Sequence, residues 1–188
     1  MITVIKLGGS LLNAKVLPAC LDAVERYSGN ALIVPGGGVF ADQVRAAQQE
    51  WGFDDVAAHG MAILAMRQMA LLFNSLKPEF SRLKKISGHT ILPKTAIWAP
   101  DPDELDVAGI PASWDITSDS LAAWLAGQVG ADELVLVKSC AVPESAALSE
   151  LQRQGIIDAS FLDFAKPSAY NITVVNQERF LSCHDQIH

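Results

Sequence analysis

Five short apolar runs rich in β-branched residues, separated by segments of helical spacing, set the fold that this chain can adopt. Each run is almost continuously apolar, which is typical of strands covered on both faces in a mostly parallel sheet. The predicted strands cover residues 2–7, 31–35, 95–99, 134–138 and 172–176. Strands that alternate with helices predict right-handed βαβ units and an α/β fold, a three-layer αβα sandwich with a mostly parallel sheet.

One predicted helix is more apolar than its place on such a sheet requires. Residues 54–76 predict a single long helix, ended by Pro78, that is apolar around most of its circumference. Either neighbouring helices bury the surplus or it forms part of a subunit interface, and both alternatives stay open. We expect a homodimer or a larger homo-oligomer. The polar residues 81–93 predict a loop.

Length and charge exclude several classes of protein. The chain has 188 residues and no linker, which predicts a single domain over residues 1–188. Its 14 basic and 21 acidic residues give a net charge of −7, which disfavours broad attraction to nucleic acid or to an anionic membrane. The first residues lack the pattern of a signal peptide, and His59 and Arg67 interrupt the most apolar segment. We therefore expect a cytoplasmic protein that binds no membrane.

Glycines follow the first two predicted strands. Lys6-Leu-Gly8-Gly9-Ser10 comes directly after the first, and Pro35-Gly36-Gly37-Gly38 comes after the second and begins a helix. A backbone without Cβ atoms lets N–H groups approach an anion, and the helix N-terminus adds a favourable dipole. Since ligands of open α/β sheets bind at the carboxyl ends of strands, both loops should meet in one crevice with the segment 113–119. We expect them to bind phosphate groups.

Other nucleotide-binding motifs are absent from the sequence. No G-x-x-x-x-G-K-[ST] occurs, and the first strand is followed by G-G-S and not by G-x-G-x-x-G. These absences disfavour a P-loop protein and a dinucleotide-binding protein. Two such loops in one crevice suggest either two phosphate-bearing groups or one phosphoryl group that passes between a donor and an acceptor, with Lys6 placed to neutralise the charge of that group.

Three segments resemble the amino acid kinase superfamily, which includes acetylglutamate, aspartate, uridylate and isopentenyl phosphate kinases. They read VIKLGGSLL, LIVPGGGVFADQVR and WDITSDSLAAWLAGQVGADELVLVKS. Within the superfamily, AHGMAILAMRQMALL and GIIDASF are similar to the short branch of aminomethylfuran-methyl-phosphate kinases. The resemblance implies a carbamate kinase-like fold, ATP and Mg²⁺ as cofactors, and a small anionic acceptor, with a phosphate monoester expected.

The resemblance also implies roles for individual residues. The nucleotide-binding set is Lys6, Gly8, Gly9, Ser10, Lys138 and Ser139. The substrate-binding set is Gly36, Gly37, Gly38, Asp42 and Asp115, to which Arg67 of the long helix is added. Lys6, Asp115 and Lys138 are the expected catalytic residues, with Asp115 holding the lysine in place. No residue is expected to bind a metal ion.

Two departures from the family pattern leave alternatives open. Lys138-Ser139 stands where many members have an acidic T-D-V-x-G turn, and Gly155-Ile-Ile-Asp158 lacks the lysine of a G-M-x-x-K segment. Lys138 is expected to take over the role of that lysine, since it ends a strand at the same crevice; the alternative is a solvated lysine. The alternatives for the whole chain are a non-catalytic nucleotide-binding or storage protein, and a uridylate or isopentenyl phosphate kinase.

Overall fold

The computed structural model describes residues 1–13, 15–86, 90–166 and 169–185. Its strands are β1 (Ile2–Leu7), β2 (Asn30–Pro35), β3 (Ser81–Leu83), β4 (Thr95–Trp98), β5 (Glu133–Lys138) and β6 (Asn171–Asn176). Its helices are α1 (Ser10–Asn13), α2 (Leu17–Glu25), α3 (Gly38–Trp51), α4 (Asp55–Leu76), α5 (Pro102–Val107), α6 (Ser118–Val129), α7 (Leu148–Arg153), α8 (Phe161–Phe164) and α9 (Gln177–Asp185).

In the described residues the strands form one sheet in the order β3-β4-β2-β1-β5-β6. Each pair of neighbours is parallel, and β1 lies between β2 and β5 with Lys6 opposite Val34 and Leu136. The predicted α/β class is therefore confirmed. This single sheet contains strands from residue 2 to residue 176.

Alternation along the strands divides the core into two layers. Val4, Leu32 and Leu134 pack in one buried cluster, with the apolar residues of α6. Ile5 and Ile33 face the other side, in a cluster with α2 and α9. This alternation in buried strands produces the expected three-layer sandwich.

The long helix α4 begins and ends where the sequence predicts. Asp54 is its N-cap, and its carboxylate accepts a hydrogen bond of 2.8 Å from the N–H of Ala57. Ile63 packs in the first core cluster and Phe73 in the second, so the helix contributes to both. By length and composition α4 could cross a membrane, with a mean hydropathy of 1.4, but buried core helices pass the same test.

The loop predicted over residues 81–93 is wrong at its start. Ser81–Leu83 forms β3, which pairs with β4 at the sheet edge. Exposed Ser81 and Arg82 explain why no apolar run marks this strand. Residues 87–89 of the predicted loop lie outside the described residues.

Candidate active site

Two lysines and one aspartate meet at the carboxyl end of the sheet. Lys6 near the end of β1 and Lys138 at the end of β5 occupy the strand positions that alternate toward α6. Asp119, in the first turn of α6, contacts both: its carboxylate lies 2.8 Å from Lys6 Nζ and 2.5 Å from Lys138 Nζ. We call these three residues the Lys–Asp–Lys triad. All three side chains are nearly buried, with exposed fractions of 8%, 3% and 11% for Lys6, Asp119 and Lys138.

The three residues of the triad have different pKa shifts. Burial opposes ionisation of Asp119, but attraction to Lys6 and Lys138 outweighs it and lowers the Asp119 pKa. Burial alone would lower the pKa of Lys6, yet the contact with Asp119 raises it. Burial together with repulsion from Lys6 lowers the pKa of Lys138. The triad thus keeps an ionised carboxylate between two cations of unequal proton affinity.

A second carboxylate, Asp158, fixes the start of α6. It accepts hydrogen bonds from the N–H of Thr117 and the N–H of Ser120, each of 2.9 Å, and from the Thr117 hydroxyl at 2.6 Å. These bonds satisfy N–H groups that the first helical turn leaves free, and the carboxylate complements the helix dipole. Because Asp119 lies within this turn, Asp158 positions the carboxylate that contacts the lysines.

The two glycine loops are in backbone contact. A Cβ atom on Gly9 would lie 2.1 Å from the Cα of Gly38, and one on Gly36 would lie 2.7 Å from the N of Gly9. A Cβ on Gly8 would lie 3.4 Å from Lys6 Nζ, so the ammonium of Lys6 sits beside the first loop. The loops therefore meet, as the sequence predicts, and only glycine permits the approach at Gly9.

Both loops line a pocket of about 230 Å³ next to the triad. Its lining residues from the predicted sets are Gly9, Ser10, Gly36, Gly37, Gly38 and Asp42. Thr117 and Ser118, just before Asp119, complete the side nearest the triad. Ser139 is not among these lining residues, but its hydroxyl donates a 2.8 Å hydrogen bond to the hydroxyl of Ser10, which lines the pocket.

Two predicted site residues lie elsewhere. Asp115 is exposed, and the carboxylate that holds Lys6 is Asp119, so the placement of Asp115 on the lysine is wrong. Arg67 turns to Asp101, with which it forms an ion pair of 3.0 Å, and it is not part of the pocket wall described above. His59, eight residues earlier on α4, does line the pocket.

Asp119 and Asp158 are the residues that sequence reasoning missed. An acid in a first helical turn is explained locally by the helix dipole, which hides a long-range role for Asp119. The alternation along the strands, which places Lys6 and Lys138 on one buried face, could have indicated Asp119. Two buried cations need an anion nearby. Asp158 carries no local signal, since its partners lie about 40 residues away in the chain.

The sequence of this chain is similar to those of known kinases. The amino acid kinase family matches residues 1–98, which is about half of the chain. A curated relative, the [5-(aminomethyl)furan-3-yl]methyl phosphate kinase of Methanocaldococcus jannaschii, is 27% identical over 137 residues. The match covers 71% of this chain and 63% of the relative, so the chain spans less than two thirds of that protein's length.

Solved structures share the fold at low sequence identity. The uridylate kinase of Archaeoglobus fulgidus has a TM-score of 0.69 at 20% identity, over 99% of this chain and 96% of that one. The UMP kinase of Bacillus anthracis has a TM-score of 0.68 at 17% identity, over 98% and 92%. The expected fold is thereby confirmed, and the family match over residues 1–98 establishes that this chain belongs to the amino acid kinase family.

Proposed function

We propose that this protein is a kinase that transfers the γ-phosphoryl group of ATP to a small anionic acceptor, a phosphate monoester. The observation that carries the proposal is the Lys–Asp–Lys triad beside a glycine-lined pocket. In the reaction an acceptor oxygen forms a bond to the γ-phosphorus, and the bond to the bridging oxygen breaks as ADP leaves with the electron pair. A phosphate oxygen is already anionic, so no residue has to remove a proton.

The residues have distinct roles in this proposal. Lys6 and Lys138 stabilise the negative charge of the transferred group, and Asp119 holds both ammonium groups in place. The backbone N–H groups of Gly8 and Gly9 bind phosphates of the donor. The second glycine loop binds the acceptor in the pocket. Asp42, which lines the same pocket, contributes to the acceptor site. Asp115 and Arg67 are not among the residues that line the pocket and have no step in the transfer.

Magnesium belongs to the substrate in this proposal. Mg²⁺ is held in kinases by carboxylates together with substrate phosphates, but the Asp119 carboxylate is already engaged by two lysines. In the described part of the chain no group of three or more His, Cys, Asp or Glu residues is arranged to hold a metal ion. We therefore propose that Mg²⁺ arrives on the phosphates of ATP.

Two observations favour a small monoester over a nucleotide acceptor. The pocket of about 230 Å³ is smaller than the 300–1,000 Å³ common for drug-sized ligands. The curated relative is named for a phosphate monoester of a single furan ring. We extend the proposal to an aminomethylfuran-methyl-phosphate-like acceptor, a cytoplasmic location and a homo-oligomeric state.

A panel of acceptors tests the proposal. The protein is incubated with MgATP and with benzyl phosphate, aminomethylbenzyl phosphate, isopentenyl phosphate or UMP, and the products are resolved by ³¹P NMR. We expect ADP and a diphosphate product with a ring-bearing monoester. Calorimetric binding of MgATP with no transfer to any acceptor would support a nucleotide-binding protein and overturn the kinase proposal.

A further inference from the structure

The segment that connects α5 to α6 forms one wall of the pocket. We call residues 108–117, which lie between these two helices, the strap. Trp114, Ile116 and Thr117 of the strap line the pocket. Ile116 is buried and the residue before it, Asp115, is exposed, so the strap runs along the boundary between the core and the solvent. The half-buried Trp114 places the largest side chain of the strap at this boundary.

Trp114 is held by two residues of α3. Its indole N–H donates a hydrogen bond of 2.6 Å to Oε1 of Gln48. The guanidinium carbon of Arg45 lies 4.2 Å from the centre of the indole ring, which makes a cation–π contact. Arg45 and Gln48 are one helical turn apart, so they lie on the same face of α3. Trp114 therefore connects the strap to α3, whose residue Arg45 also lines the pocket.

The hydrogen-bond acceptor of the indole is itself fixed in place. Nε2 of Gln48 donates hydrogen bonds to the carbonyl oxygen of Phe53, at 3.2 Å, and to the carboxylate of Asp55, at 2.9 Å. Both partners lie at the corner between α3 and α4. Since the amide nitrogen is engaged there, the amide oxygen is the atom presented to Trp114. The two long helices thus determine where the indole ring stands.

The burial of the lining residues shows which side of the pocket Trp114 closes. Ile63, Met66 and Leu121 are buried and form the inner wall. Arg45, which stacks on Trp114, is exposed. Trp114 therefore stands at the solvent side of the pocket. A bulky ring fixed at that side limits the size of a molecule that binds between the glycine loops and the strap, because a larger one would clash with it.

We propose that Trp114 is a specificity-determining residue that closes the solvent side of the pocket and restricts the acceptor to a body no larger than a single ring. Larger phosphate monoesters, such as nucleoside monophosphates, are rejected because they would have to displace the indole from Gln48 and Arg45. The inference rests on the proposed function in one respect only, that the pocket holds the acceptor.

Binding without ATP tests this inference separately from catalysis. Benzyl phosphate and 2-naphthylmethyl phosphate carry the same phosphate and differ by one ring. By calorimetry we expect wild type to bind benzyl phosphate at least about tenfold more tightly, because forcing a second ring into a filled site is costly. Trp114→Ala should bind the naphthyl probe at least as tightly as benzyl phosphate, and more tightly than wild type does, since the vacated space accepts the second ring. General damage to the structure would weaken both probes and would not improve binding of the larger one.

Two further variants assign the preference to the held indole. Gln48→Met keeps a side chain of similar length but removes the hydrogen-bond acceptor, and we expect the two probes to bind within about threefold of one another. This variant carries the test if Trp114→Ala does not fold. Trp51→Ala is the matched control, since it removes an exposed indole at the end of α3 that does not line the pocket. It should keep the wild-type preference.

The outcomes separate the inference from the proposed function. Equal binding of the two probes by wild type, no binding of either, or an unchanged preference in both Trp114→Ala and Gln48→Met would overturn the role of Trp114. A size preference that Trp114→Ala removes, with no phosphoryl transfer after MgATP is added, would support that role and overturn the kinase proposal. Transfer to both probes with equal affinity would support the kinase proposal and overturn the role of Trp114.

Discussion

Asp119 is a buried carboxylate, and burial costs it the hydration that it would have in water. Among the described residues, its contacts with two lysines and its place in the first turn of α6 compensate for this loss. The reverse also holds, because Lys6 and Lys138 repel one another without it. Removing the middle charge therefore affects stability as well as chemistry, whereas removing one lysine leaves a paired carboxylate.

Asp119→Asn tests this dependence at the level of one residue. We expect the free energy of unfolding at pH 7 to fall by about 3–5 kcal/mol, because two buried cations lose their anion. Urea denaturation followed by circular dichroism measures the change. Asp115→Asn, four residues earlier and exposed, is the matched control and should change stability by less than about 0.5 kcal/mol. Equal effects of the two variants would contradict the structural role of Asp119.

The stability difference between wild type and Asp119→Asn should depend on pH. The folded-state pKa of Asp119 is lowered, so its stabilising contribution is present above the ordinary pKa of aspartate, near 3.9, and is lost as pH falls through the lowered value. The difference in unfolding free energy between wild type and Asp119→Asn should therefore shrink below about pH 4. A difference that stays constant to pH 2 would contradict the shift.

The sequence predicts part of the triad and misses its centre. Lys6 and Lys138 are found because strand ends beside glycine loops are recognisable in a single segment. Asp119 escapes, and the family resemblance points to exposed Asp115 in its place, which lies four residues earlier in the turn before α6. Only the packing of α6 across β1 decides which of them faces the lysines.

At the level of elements, helix α6 brings Asp119 to the lysines, and a residue distant in the sequence fixes the first turn of that helix. Asp158 binds the N–H groups of Thr117 and Ser120, which makes it a positioning residue for Asp119. Its own segment, residues 155–158, contains no lysine. Lys138 on β5 instead brings a second cation to Asp119.

We expect Asp158→Asn to lower stability by about 1 kcal/mol, because the amide lacks the negative charge that complements the N-terminal end of the α6 dipole. The turnover number should fall more than the affinity for the acceptor, since the pocket wall is unchanged while Asp119 is less firmly held. Steady-state kinetics with the best acceptor separate these effects. Asp163→Asn, five residues later and exposed, is the control and should change neither. An altered acceptor affinity with a normal turnover number would contradict the positioning role.

Most elements are predictable from the sequence, and the exceptions have a physical reason. Buried strands such as β1 and β5 are continuous apolar runs, so their bounds agree with the structure within one residue. The edge strand β3 has three residues and two exposed side chains, so its pairing depends on neighbours and not on its own pattern. The short helices α7 and α8 lack the length that periodicity needs.

At the scale of the whole molecule, the surplus apolar surface of α4 can be covered by neighbouring helices or by another subunit. Met61, Leu64 and Leu71 are exposed by 41%, 44% and 50%, and their spacing places them along one helix face. Trp51, at the end of α3, is 76% exposed. A second copy of the chain is the occupant that the sequence predicts.

Leu64→Glu tests this oligomer. We expect light scattering to give about twice the 20.1 kDa chain mass for wild type and a single chain mass for the variant, since a buried carboxylate opposes association. Val107→Glu, at a site 91% exposed on α5, is the matched control and should keep the wild-type mass. A wild-type mass of one chain at micromolar concentration would contradict the prediction.

The transfer of labelled phosphate in a single turnover tests the kinase account most directly. With γ-labelled MgATP and a ring-bearing phosphate monoester, wild-type protein should move the label to the acceptor. Lys6→Ala and Lys138→Ala should each slow this step at least about a hundredfold while their circular dichroism spectra stay native. Label transfer at the wild-type rate in Lys6→Ala would contradict the account, because the charge on the moving group would then be stabilised elsewhere.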